Sequence, residues 1–103
     1  MPTKHDGFRD FVLDQLSGLP DLTSSTMFGG QGLYQGDRFF GIIHKGRLYF
    51  KTDRLTAPHY RNRGMKPFKP TSTQTLKNYY EVPIDILEAP DDLLTWASQA
   101  AEG

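Results

Sequence analysis

The side chains that could do chemistry are few, and their spacing argues against catalysis. His5, His44 and His59 are the histidines of the chain. None stands four residues from another histidine or beside a well-spaced acid, the arrangement that puts two metal ligands on one helix face. Ser17, Ser24, Ser25, Ser72 and Ser98 lack the strained glycine-flanked elbow that exposes a nucleophilic hydroxyl. Cysteine is absent, which excludes disulfides, thiolate nucleophiles and cysteine-held zinc or iron-sulfur clusters. An acid-base pair would have to come from Asp85, Glu88, Asp91 and Asp92, whose simpler role is to place negative charge at a helix N-terminus. The sequence therefore predicts a non-enzyme with no catalytic residues, no cofactor and no metal.

Binding chemistry is better represented. Lys plus Arg and Asp plus Glu both number 12, so the chain of 103 residues has zero formal charge and no bulk attraction to nucleic acid or anionic lipid. The charges are nevertheless segregated. Between residues 51 and 69, Lys51, Arg54, Arg61, Arg63, Lys66 and Lys69 face Asp53 alone, a net of +5, whereas residues 81 to 103 hold six acids and no base. Arg54, Arg61, Arg63, Lys66 and Lys69 form a candidate basic patch, unless the two segments lie side by side and neutralise each other. Arg47, Tyr49 and Lys51 alternate along one strand with Phe40 opposite Lys51, the basic and aromatic interleaving of single-strand nucleic-acid binders. The competing reading is a face covered by a helix or by a partner subunit, with Lys51 reaching past Phe40.

These side chains must be positioned by a small number of elements. The length suits one domain spanning residues 1 to 103. Phe8, Phe11, Val12, Leu16 and Leu19 recur at helical spacing, capped by Thr3 or Asp6 and stopped by Gly18 and Pro20. A strand is expected near Ser25 to Phe28. Phe39 to His44 and Arg47 to Thr52 then form a hairpin around Lys45-Gly46. That turn pairs His44 with Arg47, Ile43 with Leu48, Ile42 with Tyr49 and Gly41 with Phe50. Phe39, Ile43, Leu48 and Phe50 are then expected to face the core. Phe40, Ile42, Arg47, Tyr49 and Lys51 become a mixed face, a candidate interaction surface that exposes more apolar area than a monomer usually does.

A short helix is predicted from Ala57 to Arg63, with Thr56 as N-cap, Gly64 past its end, and Leu55 and Tyr60 as a hydrophobic staple. Pro67 and Pro70 restrict Met65 to Lys69 to an edge strand. Leu76 to Val82 alternates as a strand, with Leu76, Tyr80 and Val82 on one side and Tyr79 on the other. A final helix begins at Pro90 and buries Leu93, Trp96, Ala97, Ala100 and Ala101. The order α-β(3)-α-β(2)-α predicts an α+β fold with helices laid on a mainly antiparallel sheet. No apolar run approaches the length of a membrane span, and the polar start does not resemble a secretory signal, so a cytoplasmic protein with no membrane contact is expected.

Met27-Phe28-Gly29-Gly30-Gln31-Gly32-Leu33-Tyr34 is the most unusual stretch. No helix opens behind it with Lys-Ser or Lys-Thr, so it is not a nucleotide loop. A bulged structural loop in which Gly29, Gly30 and Gly32 take positive φ is expected instead. This motif is followed by Gly41, by Gly46-Arg47-Leu48-Tyr49-Phe50-Lys51 and Asp53, by Gly64-Met65 with Pro67-Phe68, by Tyr79-Tyr80 and Val82-Pro83, and by Trp96 with Ala100. In that order and spacing the chain resembles the N-terminal domain of the TfoX family, the Sxy-type competence regulators, over roughly Phe8 to Ala101. The resemblance is to the N-terminal domain only. It implies a two-layer, secretion-chaperone-like α+β fold without catalytic residues, and a regulatory or protein-interaction role in transcriptional regulation; the apolar mixed face of the hairpin adds the expectation of a homodimer. Nucleic-acid binding through the hairpin face and the basic segment is the alternative function.

Overall fold

A computed structural model describes residues 4–27 and 29–102, with side chains from residue 7 onward. The elements are α1 (Lys4–Gln15), β1 (Leu22–Met27), β2 (Gly30–Gln35), β3 (Arg38–His44), β4 (Arg47–Lys51), α2 (Ala57–Arg61), β5 (Pro67–Thr71), β6 (Gln74–Glu81), α3 (Ile84–Leu87) and α4 (Pro90–Glu102). The strands form one antiparallel sheet in the order β1-β2-β3-β4-β6-β5. Val12 and Leu16 of α1, Tyr60 of α2, Ile86 and Leu87 of α3, and Leu93 and Ala97 of α4 pack with Leu33, Phe40, Ile43, Leu48 and Phe50 in one cluster. Helices thus cover one face of the sheet, the two-layer α+β arrangement expected. Gln15 fastens α1 to α3 by donating its side-chain amide to the Leu87 carbonyl at 3.0 Å.

The strand count before α2 is four rather than three. The glycine-rich stretch read as a loop is strand β2, paired with β1 on one side and β3 on the other. The short helix α3 is also additional to the expected order. The possible caps of α1, Thr3 and Asp6, lie outside the described side chains, as do His5 and Phe28. Along α1, Val12 and Leu16 are buried, whereas Phe11 is 40% exposed.

The hairpin register is the expected one, Ile43 opposite Leu48, Ile42 opposite Tyr49 and Gly41 opposite Phe50. Lys45 and Gly46 both adopt positive φ, 50° and 74°, which matches the turn to the twist of the strands. One face assignment is inverted. Leu33 pairs with Gly41 and Tyr34 with Phe39, so Phe40 is an extra, bulged residue. In such a bulge two successive residues lie on the same side of the strand. Phe40 therefore joins Gly41 on the core face, its ring 5.7 Å from that of Phe50, and Phe39 turns to the other face against Tyr34 and Tyr79.

That other face is closed by the sheet itself. Phe68 of β5 is fully buried over Tyr49, with ring centroids 4.6 Å apart, and makes a second small core with Ile42. The edge strand reaches so far because β5 and β6 pair irregularly: Pro67 lies opposite Tyr80 while Phe68 lies opposite Leu76. The slip also turns Leu76 toward the second core beside Tyr79, whereas Tyr80 and Val82 stay in the first. Around α2 the expected staple is absent, since Leu55 is 81% exposed. Thr56 makes no side-chain cap. Instead the Asp53 carboxylate accepts from the Leu55 and Thr56 amides at 2.8 and 2.9 Å, and the Thr56 hydroxyl accepts from the Asp53 amide at 3.0 Å.

Candidate functional site

The glycine motif is built from close approach more than from unusual backbone. Gly29 alone of the three glycines has positive φ, 75°, in the turn that joins β1 to β2. Gly30 is extended, and a Cβ there would fall on the carbonyl oxygen of Ile43 in the neighbouring strand. At Gly32 a Cβ would meet the Phe39 ring at 3.0 Å and the Met27 sulfur at 3.1 Å. Met27 and Tyr34 pack on the second face, so the motif seats that face against β3.

The hairpin residues expected to face outward are largely enclosed. Phe40 and Ile42 are fully buried and Tyr49 is 9% exposed, because the bulge and Phe68 cover them. No ring at these positions can stack on a base in this arrangement. Burial pushes the Tyr49 hydroxyl above its ordinary pKa, with the Glu81 charge adding to the rise and Arg47 opposing it. Lys51 is half-buried and sits opposite Tyr79 on β6.

The basic residues divide among three places. Arg63 pairs with Asp85 at 2.5 Å and lies over the Trp96 ring, 5.7 Å from its centre, so acidic and basic segments do meet here. Lys66 and Lys69 are exposed around β5. Arg54 and Arg61 share a concavity of about 450 Å³ with Lys77, Asn78, Thr52 and the acidic Asp53. Arg61 also reaches the Tyr80 hydroxyl at 3.5 Å.

A cleft of about 570 Å³ lies between α1, β4, the end of β6 and α3. Its floor is apolar, made by Leu48, Met65, Val82 and Leu87, and Ile84 at its edge is 70% exposed. Two ion pairs frame it, Arg63 with Asp85 and Arg47 with Glu81 at 3.0 Å. Such exposed pairs are each worth about 1 kcal/mol or less, so they can exchange partners at small cost. Sequence reasoning missed Ile84, whose signal was a large aliphatic residue stranded between Pro83 and Asp85 outside any periodic pattern.

Among the described residues no three histidine or carboxylate side chains converge as a metal site. The shifted acids have structural causes. Amides of Thr56 and Leu55 hold Asp53 below the ordinary carboxylate range, and burial raises the hydroxyls of Tyr60 and Tyr79. No helix among the described residues is long and apolar enough to cross a membrane.

Residues 14–103 match the family model of the TfoX N-terminal domain. The chain is also 30% identical over 79 residues to the DNA transformation protein TfoX1 of Aliivibrio fischeri. That alignment takes in 75% of this chain but 38% of the relative, so the chain spans well under half of that protein's length. By the match to the family model over residues 14–103, the chain belongs to the TfoX N-terminal domain family.

Proposed function

We propose that this domain is a non-enzymatic regulatory module of DNA transformation, acting in the cytoplasm through contact with a protein partner. The observation that carries the reading is the family match over residues 14–103, joined to a relative whose name is a DNA transformation protein. The cleft beside α3 supports protein contact. An apolar floor framed by mixed charges suits an aliphatic or aromatic side chain better than a phosphate chain, and exposed Ile84 supplies an anchor. In the native host, Ile84→Asp should lower transformation frequency while leaving the melting temperature within a few degrees, because the side chain is exposed. Unchanged transformation with the variant present at normal levels would overturn the reading. A second reading, nucleic-acid binding, is favoured by the gathering of Arg54, Arg61 and Lys77 around one polar concavity.

A further inference from the structure

The sheet has two edges, and they are finished differently. At β5, Pro67 and Pro70 offer no N–H, Lys69 is exposed, and the pairing with β6 shifts register on either side of Phe68. Proline, lysine and irregular pairing are the usual means of keeping an edge from taking another strand. β1 has none of them. Its register with β2 runs unbroken from Leu22 opposite Gln35 to Met27 opposite Gly30. Residues 22 to 36 carry no Lys, Arg, Asp, Glu or Pro, in a chain that is 23% charged. Thr23, Ser24, Ser25 and Thr26 are exposed, and among the described strands β1 pairs with β2 alone.

The direction of the free backbone groups follows from one bond. The Gly36 amide donates to the Asp21 carbonyl at 2.9 Å, so the Asp21 carbonyl addresses β2. Alternation then turns Thr23 and Ser25 toward β2, and the N–H and C=O groups of Leu22, Ser24 and Thr26 outward. A strand that pairs antiparallel with its own copy about a two-fold axis must set one residue opposite itself, and the outward set is symmetric about Ser24. That register joins Ser24 to Ser24 of the second copy and Leu22 to Thr26 of the second copy, each pair exchanging both of its backbone hydrogen bonds. Thr23 falls opposite Ser25 of the second copy, a hydroxyl pair of the kind that stabilises sheets. A charge near the axis would meet its own symmetry copy, and the uncharged stretch avoids that. The hairpin face is closed by Phe68, which leaves this edge as the surface for self-association.

We propose that β1 is a self-association edge, at which a second copy of this chain adds antiparallel about Ser24 and joins the two sheets into one. The edge is distinct from the cleft beside α3 and does not rest on the protein-contact reading there.

Sedimentation equilibrium from about ten micromolar to about a millimolar covers the range in which a small interface dissociates. The unmodified chain should show a reversible monomer–dimer equilibrium, and the amides of Leu22, Ser24 and Thr26 should exchange more slowly as concentration rises. Ser24→Lys and Ser24→Glu change an exposed side chain whose backbone groups lie outside the β1–β2 ladder, so both should fold. In the proposed register each sets like charges opposite one another, with Cα atoms about 5.5 Å apart, and should weaken self-association about fivefold or more. An equimolar mixture of the two variants should restore it as a heterodimer. A monomer at every concentration would overturn the proposal and leave the edge to an extended segment of another protein. A dimer that both variants retain, or one that the mixture fails to restore, would overturn it as well.

Discussion

Replacing the three motif glycines one at a time by alanine should produce three different costs, because each glycine is required for a different reason. At Gly29 the new methyl meets nothing within 4 Å, but φ of 75° is left-handed, which costs a non-glycine residue about 1 to 2 kcal/mol. At Gly32 the backbone is extended. Alanine there gains roughly 0.4 to 1 kcal/mol from a stiffer unfolded chain, offset by moving the Phe39 ring and the Met27 sulfur a few tenths of an ångström, so the net change should stay within about 1 kcal/mol. At Gly30 the obstacle is the Ile43 carbonyl, which belongs to the β2–β3 ladder and cannot turn aside as a side chain does. Opening the ladder sacrifices hydrogen bonds at about 1 kcal/mol each and strains both strands, for a total of about 3 kcal/mol or more. Urea unfolding should rank the variants Gly30, Gly29, Gly32 in decreasing damage. In thermal melts, roughly 4 °C per kcal/mol makes the first drop about 12 °C. Gly30→Ala no worse than Gly29→Ala would refute the close-approach account and restore a loop that tolerates side chains.

Phe68→Ala removes the ring that closes the second core, so a loss of about 3 to 5 kcal/mol is expected from equilibrium unfolding, and a loss under about 1 kcal/mol would mean that β5 does not cover Tyr49. Burial makes Tyr49, Tyr60 and Tyr79 hold their protons above the ordinary value of 10.0 when folded, while the unfolded chain releases them there. Stability should therefore be complete below that pH and fall as pH rises beyond it; a urea midpoint equal at about pH 9 and about pH 11 would contradict this. If the concavity of Arg54, Arg61 and Lys77 binds single-stranded nucleic acid, three phosphate contacts predict a slope of about −2 in log affinity against log salt, flattened by Arg54→Ala with Arg61→Ala. No binding at high micromolar protein would remove that reading.

Local chemistry made much of the fold legible. Lys45-Gly46 and the flanking alternation set the central hairpin register, and Pro67 with Pro70 marked β5 as an edge. The failures share a cause, the override of local pattern by distant contacts. Glycine disfavours strands, so Gly30 to Gln35 read as a loop, yet it is the nearness of β3 that demands glycine in β2. One bulged residue exchanged Phe39 and Phe40 between faces, and strict alternation has no way to signal a bulge. Tyr49 looked exposed because its cover, Phe68, arrives from another strand through an irregular pairing. The two ion pairs of the cleft join residues 34 and 22 positions apart, Arg47 with Glu81 and Arg63 with Asp85, and no spacing rule links them. Family resemblance, by contrast, was carried by ordered motifs and needed no three-dimensional contact.

The proposed contact is with a protein, at the cleft beside α3. A photoreactive amino acid placed at position 84 in the native host, with the exposed Thr95 position as control, tests it most directly. The account predicts a discrete protein adduct from position 84 that survives nuclease treatment, is absent from position 95, and is lost when Arg63→Glu reverses the charge at the cleft rim; an adduct at twice the chain mass would identify the partner as a second copy. An adduct that disappears with nuclease, or the same pattern from both positions, would contradict it.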